Sequence, residues 1–526
     1  MTQNTKESQR TELHKTIWSI AEDLRGSIDG WDFKQYVLGM LFYRFISENL
    51  CAYLAEQEDD PDFDYAALSD EAAEYGREDT VKEKGFFILP SELFSRVLET
   101  VDKDGMRIDD NGEDLNEILE RVFKNIESSA VGTESEDDLK GLFDDIDVNS
   151  SKLGTTVEER NKKLISLVKK IGSLDFGGEF KDNEIDAFGD AYEFLMTMYA
   201  SNAGKSGGEF FTPQEVGELL ARIAAAGRKS VNRVYDPCCG SGGLMLKFAK
   251  VLGAENVREG FFGQEKNLTT YNLARINMFL HDINFDKFDI AYGDTLVHPA
   301  HWDDEPFDAI VSNPPYSTKW EGKNNPLNIN DPRFSPAGVL APPAKADLAF
   351  TMHMLSWLST EGTAAIVEFP GVLYRGSAEQ KIREYLIREN FVDTVIQLPA
   401  DLFFGTNITT CVLVLKKSKA TSDILFVDAS GEFTRQDSKN KLMPAHIDHI
   451  AETVLSRTEE EHFSKLVTND DVLANDANLS IGTYVEKPDT REVIDIVELN
   501  ERIKGIVARE QELRDQIDAI VADLEA

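Results

Sequence analysis

The chain has 526 residues, of which 41% are hydrophobic and 10% aromatic, so it can build at least one large core and is not mostly disordered. At about 100–200 residues per domain, this length predicts about three domains. The chain has 55 Lys and Arg residues and 95 Asp and Glu residues, a net charge of -40. Because so acidic a surface repels phosphate, this charge excludes a protein that binds nucleic acid over its whole surface. Residues 51–150 hold 30 acidic and 9 basic residues, a net charge of -21, so a basic surface elsewhere and a basic partner both remain open.

The sequence also predicts where the protein works. Its N-terminus, MTQNTKESQR, is polar and has no apolar segment of the kind found in secretory signals. No run approaches the roughly 18 apolar residues that a membrane span needs. Four cysteines make no disulfide framework, and two of them, Cys238 and Cys239, are adjacent. We therefore expect a soluble cytoplasmic protein that does not enter a membrane.

The first third of the chain has the pattern of helices. Leu13, Ile17, Ile20 and Leu24 recur at helical spacing, and WDFKQYVLGMLFYRFISENL is a second amphipathic run. Residues 51–150 mix helical patches with acidic loops, and residues 155–200 return to helix. We predict an α-helical N-terminal domain over residues 1–170.

Short apolar strands alternate with helices in the middle of the chain, which predicts an α/β domain over residues 171–420. Alternation of this kind is typical of an α/β fold with a mostly parallel sheet, here of seven strands, whose ligands bind at the carboxyl ends of the strands. Every candidate motif below lies just after one of these strands or just before the first. The predicted strands are Arg233–Asp236, Gly260–Glu265, Phe288–Tyr292, Phe307–Ser312, Ala364–Glu368, Thr394–Leu398 and Cys411–Leu415.

The end of the chain predicts an extension over residues 421–490 and a partner-binding helix over residues 491–526. The helix carries a heptad seam with spacings of four and three residues, which is typical of a coiled coil. One amphipathic helix packed on the protein's own core is the alternative to a helix that binds a partner. The seam is formed by Leu499, Ile503, Ile506, Glu510, Leu513, Ile517, Ile520 and Leu524.

A glycine-rich turn, VYDPCCGSGG, follows the first strand and precedes a helix. The glycines let a ligand approach the backbone, and the helix N-terminus presents free N–H groups, although a tight strand-to-helix turn is the structural alternative. Glu265 ends the second strand and suits ribose hydroxyls. Asp294 follows the third strand and can accept from the amine of an adenine, although helix capping is the alternative for both acids. The turn contains Gly240, Ser241, Gly242 and Gly243.

The most specific motif is Asn313-Pro314-Pro315-Tyr316, directly after the apolar strand FDAIV and Ser312. Two prolines fix the backbone and remove two N–H donors. The Asn313 side-chain oxygen and the Pro314 carbonyl can both accept from one planar NH2 group, and Tyr316 can stack on the ring that carries it. A proline-rich turn is the alternative, which the upstream motifs disfavour.

Residues 205–417 resemble the S-adenosylmethionine-dependent amino-methyltransferases of DNA, in the motif order of the gamma group that acts on adenine N6. The resemblance implies a Rossmann-like catalytic domain, S-adenosylmethionine as cofactor and a base flipped out of the duplex. It places Asn313, Pro314, Pro315 and Tyr316 on the target base, and Glu265 and Asp294 on the cofactor's ribose and adenine. The methionine part would be held by Glu209, Phe210, Phe211, Thr212, Pro213, Gln214, Asp236, Gly240, Ser241, Gly242 and Gly243.

Nearly the whole chain is similar to the modification subunits of type I restriction–modification systems. The segments that carry this resemblance include WDFKQYVLGMLFYRFISE, GKSGGEFFTP, GFFGQEKNLTTYNLARINMFLH and LPADLFFGTNI. The resemblance implies double-stranded DNA as substrate, a specificity subunit bound through the C-terminal helix, two copies of this chain per specificity subunit, and a restriction subunit in the full complex. The acidic stretch 51–150 matches the family least well.

The long segment Ser317–Ala346 after the NPPY motif is rich in Pro and Asn, and loops of this length are often functional. Its side chains that could meet DNA are Lys319, Trp320, Lys323, Arg333 and Lys345, although an ordinary solvated loop is the alternative. No metal is expected, because Cys and His lack metal-ligand spacing. Cys238 and Cys239 are expected to pack rather than to react.

Two other functions fit parts of the sequence. NPPY also suits a planar glutamine amide, so a protein-glutamine or RNA amino-methyltransferase is an alternative enzyme. A catalytically silent scaffold is an alternative from another class, which the intact residues 313–316 disfavour.

Overall fold

The computed structural model describes residues 15, 17, 32–60, 62–104, 114–174, 189, 191–195, 212–302, 305–403, 408–436, 439–487 and 496–525. The predicted site residues Glu209, Phe210 and Phe211 lie outside the described residues. The chain divides into two units, Met1–Val485 and Glu486–Ala526.

The N-terminal part is helical, as the sequence predicts. Reciprocal hydrogen bonds cap one of its helices, because the Glu159 N–H donates to Thr156 Oγ1 over 3.2 Å and the Thr156 N–H donates to Glu159 Oε2 over 3.3 Å. Stacked rings of Phe123 and Phe143, with centroids 4.4 Å apart, pack in the buried core. The helices span Asp32–Gln57, Asp70–Ala73, Arg77–Lys84, Phe94–Asp104, Leu115–Ser129, Glu136–Leu139 and Val157–Gly172.

A mostly parallel sheet and a separate hairpin follow. Their strands are β1 Val231–Asp236, β2 Val257–Glu265, β3 Phe288–Tyr292, β4 Phe307–Ser312, β5 Leu358–Glu368, β6 Val392–Gln397, β7 Cys411–Lys416, β8 Asp423–Asp428, β9 Thr434–Gln436, β10 Lys439–Lys441 and β11 Ser464–Thr468. The strand order of the sheet is β11-β8-β6-β7-β5-β4-β1-β2-β3. Only β7 and β11 run antiparallel to their neighbours in this sheet. The hairpin pairs β9 with β10.

All seven predicted strands are present, and β8 and β11 extend the sheet to nine strands. Residues of β8 pair in parallel with β6, so the predicted boundary at residue 420 falls inside the sheet. The edge strand β11 is short and half exposed, with Ser464 and Val467 buried and Lys465 and Thr468 exposed, which leaves little apolar pattern to recognise. The strands Asp423–Asp428 and Ser464–Thr468 therefore continue the sheet formed by the preceding strands.

Helices cover both faces of the sheet, and each face has its own hydrophobic core. Successive residues of a strand point to opposite faces and therefore belong to different cores. Val234 and Val311 belong to the core that also contains the N-terminal helices, whereas Tyr235 and Ile310 belong to the other. The helices of the first core are Gln214–Ala225, Gly243–Leu252, Leu268–Leu280 and Pro444–Ser456, and those of the second are Asp347–Trp357, Ala378–Arg388 and Asn469–Ala474.

Arg275 joins the N-terminal helices to the sheet domain. This fully buried guanidinium donates from Nη1 to the carbonyls of Asp137, Asp138 and Lys140 at 2.9, 3.1 and 3.0 Å. Its plane lies over the ring of Tyr271, 4.2 Å from the centroid. The same helix therefore packs on the sheet and fixes the N-terminal part.

The second unit contains one long helix, Ile496–Glu525, as the heptad seam predicts. The described seam side chains are exposed, with Ile506 at 67% and Leu524 at 81%. Among the described residues, no helix combines the length and the apolar character needed to cross a membrane.

Candidate active site

The candidate site lies at the carboxyl ends of β1 and β4, which are neighbours in the sheet. The chain continues outward from β1 in one direction of the sheet and from β4 in the other, so a crevice opens between them, where α/β proteins bind ligands. The glycine-rich turn leaves β1 after Asp236, and the NPPY segment leaves β4 after Ser312.

Asp236 connects the two segments. Its Oδ1 accepts from the Cys238 N–H over 2.9 Å and from the Ser312 hydroxyl over 2.7 Å, although Asp236 and Ser312 are 76 residues apart. Burial raises the pKa of Asp236 to about 7, against the effect of these two hydrogen bonds. The turn after β1 and the turn after β4 are thus held side by side by one buried carboxyl group.

The glycine-rich turn requires glycine at two positions. Gly240 and Gly242 have φ of +54° and +79°, values that side chains disfavour. A Cβ at Gly242 would also lie 2.9 Å from Met278 Cε, whereas one at Gly240 or Gly243 would have no neighbour within 4 Å. The turn is therefore closely packed against Met278 at Gly242, whereas it is open at Gly240 and Gly243.

The residues around this turn fit a bound S-adenosylmethionine. Glu265 ends β2 and accepts through Oε2 from the Gly240 N–H at 3.1 Å and through Oε1 from the Asn267 N–H at 2.8 Å. Gln214 Oε1 is a buried acceptor with no hydrogen-bond partner among the described residues. An open glycine backbone, an acid at the end of β2 and an unpartnered acceptor are groups that an amino acid and a ribose can satisfy.

Asp294 follows β3 and caps the next turn. Its Oδ1 accepts from the Leu296 N–H at 3.0 Å, and its carbonyl accepts from the His298 N–H at 2.7 Å. Asp294 Oδ2 lies 4.0 Å from Lys266 Nζ, on a side chain that is 42% exposed. Asp294 therefore caps the turn and also has a carboxylate oxygen that faces outward. Capping and ligand binding are compatible for this residue.

Two hydrogen bonds fix the amide of Asn313. Its Nδ2 donates to Thr212 Oγ1 over 3.0 Å, and its Oδ1 accepts from the Tyr316 hydroxyl over 2.6 Å. The structure thus brings Thr212 of the FFTP segment to the NPPY motif across 101 residues. An amide oxygen can accept two hydrogen bonds, which leaves one acceptor site of Asn313 for a substrate amine. Thr212 and Asn313 are only partly buried, and Pro213 and Pro314 are buried.

Two buried acids behind the NPPY segment were not predicted from the sequence. Ser317, directly after the motif, has φ of +51°, and its N–H donates to Asp347 Oδ1 over 3.0 Å. Glu368 ends β5 and accepts from Thr351 Oγ1 over 2.8 Å, and burial followed by the nearby Asp347 raises the pKa of Glu368 to about 8. An acid at a strand end and an acid opening a helix were the available signals, but neither lies in a recognisable motif.

The loop after the NPPY motif corrects one of the predicted DNA contacts. Arg333 is 3% exposed and lies in the interior, where Nη1 donates to the Thr295 carbonyl at 2.9 Å and Nη2 to the Leu296 carbonyl at 3.0 Å. Nη2 also contacts Asp331 Oδ2 at 2.7 Å. The guanidinium is therefore unavailable to a phosphate and instead attaches this loop to the turn after Asp294.

The other predicted DNA contacts are distributed differently. Trp320 is half-buried, donates from Nε1 to the Pro342 carbonyl over 3.1 Å and packs edge-on against Phe334. Lys319 and Lys323 are exposed, and Lys345 is half-buried. The two exposed lysines are the cations of this loop that can meet a polyanion.

The two adjacent cysteines pack against the turn. Burial, followed by the charge of Asp236, raises the pKa of both the Cys238 and the Cys239 thiols well above the usual range. A thiolate is therefore disfavoured, and a nucleophilic role does not suit these residues. Among the described residues, no group of three or more His, Cys, Asp and Glu side chains could hold a metal ion.

The fold is that of the S-adenosylmethionine-dependent methyltransferases, with a mostly parallel sheet, an antiparallel β7 and a glycine-rich turn after β1. Residues 183–493 match the N-6 DNA Methylase family, and residues 13–171 match the HsdM N-terminal domain. A type I restriction enzyme MpnII methylase subunit from Mycoplasma pneumoniae is 48% identical, over 98% of this chain and 97% of that protein. The MjaVII methylase subunit from Methanocaldococcus jannaschii is 29% identical over 72% of this chain and 66% of its own length.

A solved structure gives the same result. The type I restriction-modification system methyltransferase subunit from Streptococcus thermophilus superimposes with a TM-score of 0.80 at 35% identity, covering 91% of this chain and 100% of that one. The chain therefore belongs to the N-6 DNA Methylase family, among the methylase subunits of type I restriction enzymes.

Proposed function

We propose that this chain transfers a methyl group from S-adenosylmethionine to N6 of an adenine that has been flipped out of double-stranded DNA. A specificity subunit selects the DNA site, and two copies of this chain bind each specificity subunit. A restriction subunit joins the full complex. The observation that carries the proposal is the contact of Asp236 with Ser312, which sets the cofactor turn beside the acceptor motif.

The chemistry requires an amine to become nucleophilic. The lone pair of adenine N6 is conjugated into the ring, so acceptors that draw its hydrogens out of the plane favour a tetrahedral nitrogen. Asn313 Oδ1 and the Pro314 carbonyl would accept these hydrogens, and the hydrogen bonds of Thr212 and Tyr316 to the Asn313 amide support this role by restricting its rotation. S-adenosylmethionine supplies the methyl group as a sulfonium electrophile. Positioning and electrostatics account for the catalysis, without a covalent enzyme intermediate.

The remaining contacts divide between the two ligands. Glu265 would bind the ribose and Asp294 the cofactor's adenine, while Asp236, residues 240–243 and the FFTP segment would hold the methionine part. Asn313, Pro314, Pro315 and Tyr316 would hold the target base. The open backbone at Gly240 and Gly243 and the unpartnered Gln214 Oε1 support this assignment.

The test is a transfer assay with radiolabelled S-adenosylmethionine and duplex DNA, with and without a co-expressed specificity subunit. We expect label on N6-methyladenine, dependent on the partner. Label on a glutamine side chain or on RNA would instead identify the alternative amino-methyltransferase. Cofactor binding without transfer to any substrate, even with the partner, would identify a silent scaffold.

Binding of S-adenosylmethionine is expected to tighten as the pH rises through about 7, the raised pKa of Asp236. The methionine part carries an ammonium, which an ionised Asp236 attracts and a neutral one does not. Since ionisation is about 10% complete one unit below a pKa and 90% complete one unit above it, Kd should fall roughly tenfold from pH 6 to pH 8. Isothermal titration at both pH values measures this change.

Asp236→Asn is the matched control, because its amide oxygen can still accept from Cys238 and Ser312. Its Kd should vary less with pH, whereas the same tenfold change in this variant would contradict the assignment. Cofactor binding should become stronger as the pH rises, whereas the stability of the free protein should become lower. Since the folded pKa of Asp236 lies above the unfolded value of about 3.9, stability falls as the pH rises from about 4 to about 7.

The C-terminal helix is proposed to bind the specificity subunit through its seam. Leu513→Asp places a charge on this seam, and burying a charge in an apolar interface costs more than the lost leucine contact. We expect binding to a co-expressed specificity subunit to weaken at least about 100-fold, measured by pull-down and biolayer interferometry. Ala508→Asp adds the same charge off the seam and should leave binding unchanged; equal losses in both variants would refute the proposed surface.

A further inference from the structure

The loop after the NPPY motif is a closed excursion that begins beside the candidate base site. Its two ends are joined by backbone hydrogen bonds, from the Trp320 N–H to the Pro343 carbonyl at 3.0 Å and from the Ala346 N–H to the Thr318 carbonyl at 2.9 Å. Tyr316 lies directly before this neck, and Asp347 directly after it. The neck of this loop is therefore fixed next to the NPPY motif.

The tip of this loop is an ordered turn, Pro326–Ile329. Asn325 caps it by accepting the Leu327 N–H at 3.0 Å, and the buried Asn328 donates to the Gly322 carbonyl at 2.9 Å. Arg333 attaches the following residues to the turn after Asp294, as described above. A loop tied down at its neck, its tip and its return is preorganised, so it can bind without a large loss of conformational entropy.

This ordered tip presents two large apolar side chains to solvent. Leu327 is 79% exposed and Ile329 is 57% exposed, while the polar Asn328 between them is buried. The arrangement inverts the usual preference of apolar side chains for the interior. Two neighbouring aliphatic side chains on a rigid support are suited to insertion between apolar surfaces.

The charge around the tip favours an anionic partner. Residues 317–346 contain four basic residues, Lys319, Lys323, Arg333 and Lys345, against the two acids Glu321 and Asp331, a net charge of +2 in a chain of -40. Arg333 and Asp331 pair with each other, while the exposed Lys319 lies within the neck and the exposed Lys323 lies on its tip side. A locally cationic loop on a strongly acidic protein complements a phosphate backbone.

We propose that Leu327 and Ile329 form an apolar wedge that enters the base stack of duplex DNA where the target adenine leaves it, while Lys319 and Lys323 contact the flanking phosphates. Apolar side chains inserted at a base step replace part of the stacking that base extrusion disrupts. The proposal rests on the proposed function, since it requires a flipped adenine. It adds a device that lowers the cost of extrusion, separate from the groups that carry out the transfer.

The test compares the wild type with Leu327→Ser/Ile329→Ser, each in the complex with the specificity subunit, on two duplexes. One duplex has the target adenine paired with thymine, and the other has an abasic site opposite the same adenine. Since unpairing costs least for an adenine without a partner, the variant should be at least about tenfold slower on the paired duplex and within about twofold of wild type on the other. Fluorescence of 2-aminopurine at the target position should rise less in the variant on binding the paired duplex.

Leu455→Ser is the control, because Leu455 is 45% exposed on the helix Pro444–Ser456. It should match the wild type on both duplexes, and thermal unfolding should be unchanged in every variant, with Leu327→Ser alone as a milder second variant. Equal rates of wild type and wedge variant, or equal loss on both duplexes, would overturn the wedge. Loss of the specificity subunit from the complex would also overturn it, by showing that the tip contacts protein. A failed proposed function differs from all of these, because the wild type itself would then transfer no label.

Discussion

Asn313→Ala is expected to lower the rate of methyl transfer by about 100- to 1000-fold while leaving the Kd for S-adenosylmethionine within about threefold. The variant loses the amide oxygen that is proposed to accept from adenine N6, and it loses the partner of the Tyr316 hydroxyl. The Pro314 carbonyl remains, so the base keeps one acceptor. Single-turnover transfer to DNA in the complex with the specificity subunit measures the rate, and titration calorimetry measures cofactor binding.

Two further variants separate the chemistry from the loss of contacts. Asn313→Asp retains acceptor oxygens, and the Thr212 hydroxyl can donate to it, so it should recover part of the rate. Asn475→Ala removes an exposed asparagine whose Nδ2 lies 3.4 Å from the Tyr484 hydroxyl, and it should behave as wild type. A full rate in Asn313→Ala, or an equal loss of rate and of cofactor binding, would exclude the proposed role of this amide.

The parts of the fold that were predictable are those coded by local pattern. The strand Phe307–Ser312 has the sequence FDAIVS, in which four of six residues are apolar, and its position before two prolines marks where the sheet ends and the site begins. The same reasoning applies to the turn after Asp236. The edge strand Ser464–Thr468 has no such pattern, because its place is set by pairing with Asp423–Asp428 rather than by its own composition.

The contacts that organise the site are not coded locally. Thr212 meets Asn313 across 101 residues, and nothing in either segment specifies that pairing before the sheet has formed. Asp347 and Glu368 lie in an ordinary helix start and strand end, and only the fold places them behind Ser317 and Tyr316. Motifs therefore indicate which segments reach the site, whereas the second layer that holds them becomes visible only in the structure.

The role of Arg333 was also not predictable from its local sequence. A substitution of Arg333 distinguishes a contact with phosphate from a structural role inside the protein. Its position in a loop after a DNA-methylase motif predicts a contact with phosphate, but its three nitrogens are used by Asp331 and by the carbonyls of Thr295 and Leu296. Its guanidinium also lies 4.6 Å from the centre of the Phe334 ring. Arg333→Met leaves Asp331 and both carbonyls without this donor inside the protein.

We expect Arg333→Met to lower the free energy of unfolding by about 3 kcal/mol, as does loss of one partner from a buried charge pair. Because Thr295 and Leu296 follow Asp294, the Kd for S-adenosylmethionine should rise as well. Arg435→Met is the matched control, since Arg435 is 50% exposed beside Asp401 and an exposed pair contributes about 0–1 kcal/mol. Urea denaturation measures stability, and the salt dependence of DNA binding measures phosphate contacts. If Arg333 is a structural anchor, Arg333→Met lowers stability and leaves the salt dependence of DNA binding unchanged. If Arg333 contacts a phosphate, the substitution leaves stability intact and reduces the slope of that salt dependence by about one ion.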